Sequence, residues 1–408
     1  MTPSGQLSMR DVFAIRPFRR LAFAQLVSAF GDFLAIFAIF SIVSFRLHGT
    51  PAQVAGIMIA YLLPAAFVSP PAGAFVDRWN VKRTMIASDL IRAALILILV
   101  QSHSLWTIYG VLIVLSSISS FFLPATTIGV RSLVPQEGLM AANALNMQVL
   151  QLTQIATPGL AALLVRWLGE TSCFWLDSGS FVFSAAMVGS IAIGRKIPVA
   201  PKALSTVTAD MKAGIRFIFT HATLTFTIVS MGAGLFAIRC FSALIAVYVR
   251  DILHASTGLF GTVSVLVGFG MIFGTQFVTH MAKSMSKERL MMSGLFVVAL
   301  GILALAVFGN VPVTVAATLA MGFGVAMVVI SAQTLMQGQT PVEMLGRVTS
   351  TLMSVLSFAQ VGGLVLSGAI AQAVGIRNSY YATSALLGLI AAVGWSGVNR
   401  RKASAAGA

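Results

Sequence analysis

The chain is 408 residues long, 58% hydrophobic and only 9% charged, where an ordinary soluble domain carries about 25% charged residues. So few charges cannot cover a water-facing surface, which excludes a large extramembrane catalytic domain. Twelve bilayer spans at 34 residues each, connections included, fit the length instead, since a spanning helix takes about 20 residues. The formal charge of +15 raises nucleic acid as a partner, but the basic residues fall in alternate loops, where a membrane topology signal puts them.

In chain order, Arg10, Arg16, Arg19 and Arg20 precede an apolar stretch of about 25 residues, longer than the roughly 7–15 of a signal-peptide core, so the first helix is expected to stay uncleaved. Apolar runs predict spans over 21–45, 53–75, 84–101, 104–128, 139–166 and 171–193. After a polar stretch they resume over 223–249, 257–281, 290–308, 311–333, 345–372 and 378–397. The expected fold is an all-α integral membrane protein with twelve transmembrane helices in two pseudo-symmetric six-helix bundles. These cover 1–193 and 223–397, with a cytoplasmic linker over 194–222, a short surface helix within it over 208–219, and a cytoplasmic tail over 398–408. With both termini on one side, 20 of the 26 Lys and Arg residues fall in that side's loops and tails, 4 on the other, and Arg92 and Arg239 inside spans. This bias predicts a multi-pass cell-membrane protein with both termini cytoplasmic. Cys173 and Cys240, 67 residues apart in or beside apolar runs, are expected as packing residues, and no metal or cofactor is expected.

A shift of 206 residues lays Pro135-Gln136-Glu137 on Pro341-Val342-Glu343 and Gln154 on Gln360, a weak repeat of the kind from which transporter halves are built. Ionisable residues inside spans are costly and therefore functional candidates. Asp32 lies near the middle of the first span, where Gln25, Ser28, Asp32 and Ala35 share one polar and small face opposite Phe23, Phe30 and Phe37. Asp32 is either a proton-titrating or substrate-contacting carboxylate or a hydrogen-bonded structural acid. Arg239 lies one residue from the position of Asp32 plus 206, so the two are expected to face one cavity, or else Arg239 bonds carbonyls in a packed interface. Asp89 and Arg92, at i and i+3, are expected as a structural ion pair. Asp177 is expected near the outer end of its span, within reach of water, in a structural role. In the fifth span Asn143, Asn146, Gln154 and Thr157 form a polar stripe that Pro158-Gly159 interrupts, and Gly270 and Gly274 mark close helix packing.

The loop after the second span reads Gly73-Ala74-Phe75-Val76-Asp77-Arg78-Trp79-Asn80-Val81-Lys82-Arg83, which resembles the signature loop of the major facilitator superfamily. Asn80 stands where the family has glycine, and Val81 where it often has a basic residue. The resemblance implies signature roles for Gly73, Asp77, Arg78, Lys82 and Arg83. Phe18-Arg19-Arg20-Leu21 leading into Ser28-Ala29-Phe30-Gly31-Asp32, the stretch from Phe122-Leu123-Pro124-Ala125 to Ala142-Asn143, and Leu176-Asp177-Ser178 resemble exporters of macrolides and of catecholate siderophores such as enterobactin. That branch implies a secondary transporter exporting an organic molecule in exchange for protons. Thr157-Pro158-Gly159 matches its antiporter motif in part.

The chain has no phosphate loop of the G-x-x-x-x-G-K-[ST] type, so an ion gradient is expected to drive transport. Candidate proton-coupling and cavity residues are Gln25, Ser28, Asp32, Gln154, Arg239, Gln333 and Gln360, sparse polar positions among Phe and Met that suit an amphiphilic substrate. The expected partners are a small organic substrate, protons and the lipid bilayer, with a monomer as the working form. Import of a nutrient by the same fold is the alternative. A membrane-embedded enzyme is a third reading, and His48, His103, His221, His254 and His280 all fall at span ends, away from carboxylates within spans.

Overall fold

In a lipid solvent each backbone N–H and C=O needs a partner within its own segment, and this chain meets the condition with helices throughout its described residues. The computed structural model describes residues 7–76, 79–101, 104–192, 216–282, 284–340 and 342–406. A short helix α1 (Met9–Ala14) leads into α2 (Arg16–Ser41), which a π-helical turn extends through Ile42–Arg46. Then follow α3 (Pro51–Val76), α4 (Val81–Gln101), α5 (Leu105–Leu133), α6 (Leu139–Leu168) and α7 (Glu170–Gly189). The second set is α8 (Ala222–Asp251), α9 (Thr257–Met281), α10 (Lys287–Phe308), α11 (Val311–Gln339), α12 (Val342–Val374) and α13 (Ile376–Ala406). Nine of these, found among the described residues, combine the length and apolarity that crossing a bilayer demands. In α7, Glu170, Asp177 and several hydroxyl residues dilute the apolar run.

The chain divides into two units, residues 1–48 with 57–201 and residues 49–56 with 202–408. The first residues of α3, Pro51–Gly56, therefore group with the second unit. Most of the expected linker, 193–215, lies outside the described residues, and with it most of the surface helix expected over 208–219. At the other end α13 carries the helix through the expected tail to Ala406.

Within each unit the helices pair in the same pattern. In the first, α2 packs on α5, α6 and α7, and α4 on α5 and α7. In the second, α8 packs on α11, α12 and α13, and α10 on α11 and α13. The 206-residue shift extends to single atoms. The Leu47 N–H donates to the Ile42 carbonyl at 2.9 Å and the Leu253 N–H to the Tyr248 carbonyl at 3.2 Å. His48 and His254 follow with positive φ of 48° and 50°. Gly169 and Gly375, both at positive φ, cap α6 and α12. The Ser178 hydroxyl donates to the Ala93 carbonyl at 3.0 Å, and Ser384 to the Ala299 carbonyl at 2.8 Å. Close approach of α9 and α11 rests on Gly270, Gly274 and Gly322, where an added Cβ would strike the facing backbone, as small residues allow between membrane helices. Cys173 and Cys240 are buried and free.

Candidate functional site

Within the spans of the first unit, Asp32, Asp89, Arg92 and Asp177 gather where α2, α4 and α7 meet. Arg92 is the hub. Its Nη2 donates to Oδ1 of Asp89 one helical turn away, and its Nη1 lies 3.9 Å from Oδ2 of Asp32 on α2. Phe122 on α5 and Phe181 on α7 cover the guanidinium, their ring centroids 4.5 and 4.3 Å from Cζ, a cation–π arrangement that gains strength when water is excluded. Arg92 is 3% exposed and Asp89 and Asp177 are 0% exposed, whereas the Asp32 side chain keeps 24% exposure. Asp32 is thus the least covered member of the cluster.

Asp177 sits against the same junction, because Gly31 leaves out the side chain that would otherwise fill the gap. A Cβ at Gly31 would lie 2.5 Å from Oδ1 of Asp177 and would also strike the Ser180 hydroxyl. The expectation that water reaches Asp177 fails here. The residue lies seven positions into α7, about 10 Å along the axis at 1.5 Å per residue, and packing of α2 on α7 covers it. Ser180 Oγ donates to the Asp177 carbonyl at 2.7 Å and lies 3.4 Å from its Oδ1. Oδ2 of Asp177, Oδ2 of Asp89 and Nε of Arg92 are buried without a hydrogen-bond partner among the described residues.

Of the other residues on the α2 face, Ser28 and Ala35 are buried and Gln25 is half-buried. Gln154 lies on α6, and its side chain is outside the described set. In the second unit Arg239 of α8 donates through Nε to Oε1 of Gln360 on α12 at 2.9 Å. The missing side chain of Gly363 lets α12 approach Phe236 and Arg239 closely. Gln333 on α11 is exposed. Asp32 and Arg239 therefore each have a partner within their own unit. Asp251 accepts from both Nε and Nη2 of Arg250, at 2.5 and 2.8 Å.

In the signature loop, Asp77 and Arg78 lie outside the described residues, and Gly73 is within the last turn of α3. Lys82 Nζ donates to the Gly189 carbonyl at 2.6 Å, and Arg20 Nη1 to the Ser190 carbonyl at 3.2 Å. Two cations thus meet the carbonyl end of α7, where the helix dipole is negative. Arg83 is exposed, and its backbone N–H donates to Oδ1 of Asn80 at 3.0 Å. The departure from glycine at Asn80 supplies the N-cap of α4.

The reach of Arg92 to Asp32, the burial of Asp177 and the two covering rings are not evident from the sequence. A signal for the last exists, since Phe181 lies four residues after Asp177, on the same helix face.

A family profile described as transmembrane secretion effector matches residues 10–405. The MFS-type transporter YfiS of Bacillus subtilis is 26% identical over 387 residues, which cover 91% of this chain and 91% of that protein. The multidrug efflux pump Tap of Mycolicibacterium fortuitum is 26% identical over 393 residues, covering 92% and 95%. Among solved structures, a bacterial homologue of the human lysosomal transporter Spinster, inward-facing and unoccupied, superimposes with a TM-score of 0.71 at 11% identity, covering 93% and 96% of the two chains.

Proposed function

The chain belongs to the transmembrane secretion effector family of the major facilitator superfamily, and on that premise we propose that it exports amphiphilic organic molecules in exchange for protons. Membership makes it a multi-pass membrane transporter of small molecules, with relatives that are transporters rather than enzymes. Export is the direction that the family's description and the name of the Tap pump favour. The basic-residue bias favours a cell-membrane location with both termini cytoplasmic.

The observation that carries proton coupling is Asp32, a partly exposed carboxylate 3.9 Å from the buried guanidinium of Arg92. Ionised, Asp32 holds Arg92 between two carboxylates. Protonated, it releases its share, and the ligand that binds one state better shifts the balance between them. A proton descending ~100 mV supplies about 2.3 kcal/mol, roughly 50-fold in accumulation, enough for modest efflux. Candidate substrate contacts are Gln25, Ser28 and Asp32 on α2 with Gln154 on α6 in the first unit, and, taken separately, Arg239 on α8, Gln333 on α11 and Gln360 on α12 in the second. The apolar residues between them suit an amphiphile better than a sugar or an amino acid.

The test uses inverted membrane vesicles energised by respiration, to which amphiphilic drugs and siderophores are added singly. Substrate-induced collapse of the proton gradient is expected with the unaltered chain and is expected to be lost with Asp32→Asn, whose amide takes up no proton. An Asp32→Asn protein that folds and dissipates the gradient as well as its parent overturns proton coupling at this residue. Energy-dependent uptake of solute by whole cells would overturn export.

A further inference from the structure

Three carboxylates surround one guanidinium in the first unit, and the mismatch in their number has a chemical consequence. With Asp32, Asp89 and Asp177 all ionised the cluster carries two negative charges in excess of Arg92. Arg92 is engaged by Asp89 through Nη2 and by Asp32 through Nη1, and Phe122 and Phe181 cover its faces. Among the described residues no cation forms an ion pair with Asp177. Its side chain is fully buried, Oδ1 has one long contact to Ser180 at 3.4 Å, and Oδ2 has no partner among the described residues. An ionised carboxylate in that position lacks both a counter-charge and the hydrogen bonds that would stabilise it.

We propose that Asp177 is a second proton-binding site of the transport cycle, filled and emptied through Asp32, so that the neutral cluster carries one proton on each of the two carboxyls. This rests on the reading of Asp32 as the coupling carboxylate. Gly31 provides the route, because its missing side chain sets α2 against Oδ1 of Asp177 with Asp32 as the next residue in the chain. When Asp32 has given its proton to water, the O–H bond of Asp177 breaks and an O–H bond forms on Asp32. That proton then leaves in its turn, and loading runs in reverse. The charged and titratable groups that bear on Asp177 are Asp32 from α2, Arg92 from α4, Tyr61 from α3 and Cys173 from α7 itself, and Asp89 joins them through its ion pair with Arg92. From α6 the sole ionisable residue is Arg166, in its last turn. The helix geometry does not require the acid, since the corresponding residue of the second unit, Thr383, occupies the same place in the repeat.

Infrared difference spectra of the full chain in lipid vesicles, between acid and alkaline medium, read protonated carboxyls without any substrate. Two C=O stretches of buried carboxylic acids are expected to vanish on alkalinisation in the parent, one in Asp177→Asn, one in Asp32→Asn but more slowly than in the parent because its relay is gone, and none in the double variant. Asp177→Thr, which copies Thr383, serves if the Asn variant does not fold. In transport the proton-to-substrate ratio is expected to fall by one in the Asp177 variants. Parent-like carbonyl bands and an unchanged ratio in Asp177→Asn overturn the second site. Full proton coupling in Asp32→Asn overturns the reading beneath it, and that outcome is separate because the Asp177 band is still scored on its own.

Discussion

The two units share one helix plan and differ in what fills its centre. Shifted by 206 residues, Asp32 falls on Ile238, Asp89 on Leu295, Arg92 on Val298 and Asp177 on Thr383. The second unit packs Leu295 and Val298 fully buried and keeps a single guanidinium, Arg239, on a neutral amide. A serine hydroxyl nonetheless ties the same two helices in both, Ser178 to Ala93 and Ser384 to Ala299. Charge is therefore an addition to the plan and not a condition of it. On the proposed coupling, one unit changes its protonation and the other holds its shape.

The comparison breaks most sharply at Arg92. Arg92→Leu removes the only cation from three carboxylates, and breaking a buried pair in this way is expected to cost about 3–5 kcal/mol. The double variant Asp89→Leu with Arg92→Val, which copies Leu295 and Val298, replaces the pair by packed apolar groups and is expected to come within about 1 kcal/mol of the parent or above it. Thermal unfolding of both proteins in detergent measures the difference. If the single and double variants unfold together, the ion pair has no energetic meaning of its own. The double variant is expected to fold well and transport poorly, which separates stability from function.

A smaller effect is expected where the plan itself differs by one methyl. Gly31 corresponds to Ala237, and the extra methyl of Gly31→Ala would press on Asp177 and Ser180. Overpacking of that kind costs about 1–3 kcal/mol. Ala237→Gly is expected to cost about 1 kcal/mol or less, through helix propensity alone. Equal losses from the two substitutions would remove the argument that α2 and α7 are pressed together for the sake of the carboxyls. Where the units agree, the cost should agree as well. Ser178→Ala and Ser384→Ala each remove one interhelical hydroxyl bond, and each is expected to lose about 0.6 kcal/mol, the average for such bonds in a membrane. Unequal losses would mean that the shared bond is supported differently in the two units.

Much of this plan is legible in the chain alone, because a bilayer makes apolar run length a direct measure of helix length. The span expected over 257–281 coincides with α9, and the 206-residue register read from Pro135 and Gln154 extends to single hydrogen bonds. Asp32, Asp89 and Arg92 stand out because charge inside a span is costly. What the sequence withholds is tertiary. Depth along one helix suggested solvent at Asp177, and the cover that α2 and α4 place over it appears only when they are packed. Likewise Arg92 reads as the partner of Asp89 by its i, i+3 spacing, while its contact with Asp32 crosses between helices. Asn80 looked like a mild departure from a motif, and its role as a helix cap depends on where α4 begins.

The last difference between the units lies ahead of the repeat. The segment ahead of α2 folds as α1, whose Val12 packs on Gly138 while the Leu7 N–H donates to the Glu137 carbonyl at 3.3 Å. Ser8 caps this helix, with its hydroxyl and backbone N–H both donating to Oδ2 of Asp11, at 2.6 and 3.0 Å. Those two bonds, the hydroxyl's first, hold the Asp11 carboxyl below its ordinary value of 3.8. A carboxyl lowered by folding contributes its stability in full above the unfolded value and loses it as pH falls through the lower, folded one. The capping box should therefore open only in acid, and locally. Amide exchange at Asp11 and Val12 is expected to quicken as the medium is taken below that range, with α2 unchanged, and to be fast at every pH in Ser8→Ala. Exchange at these amides that ignores pH in the parent chain would show that packing of Val12 on Gly138, and not the cap, holds the segment.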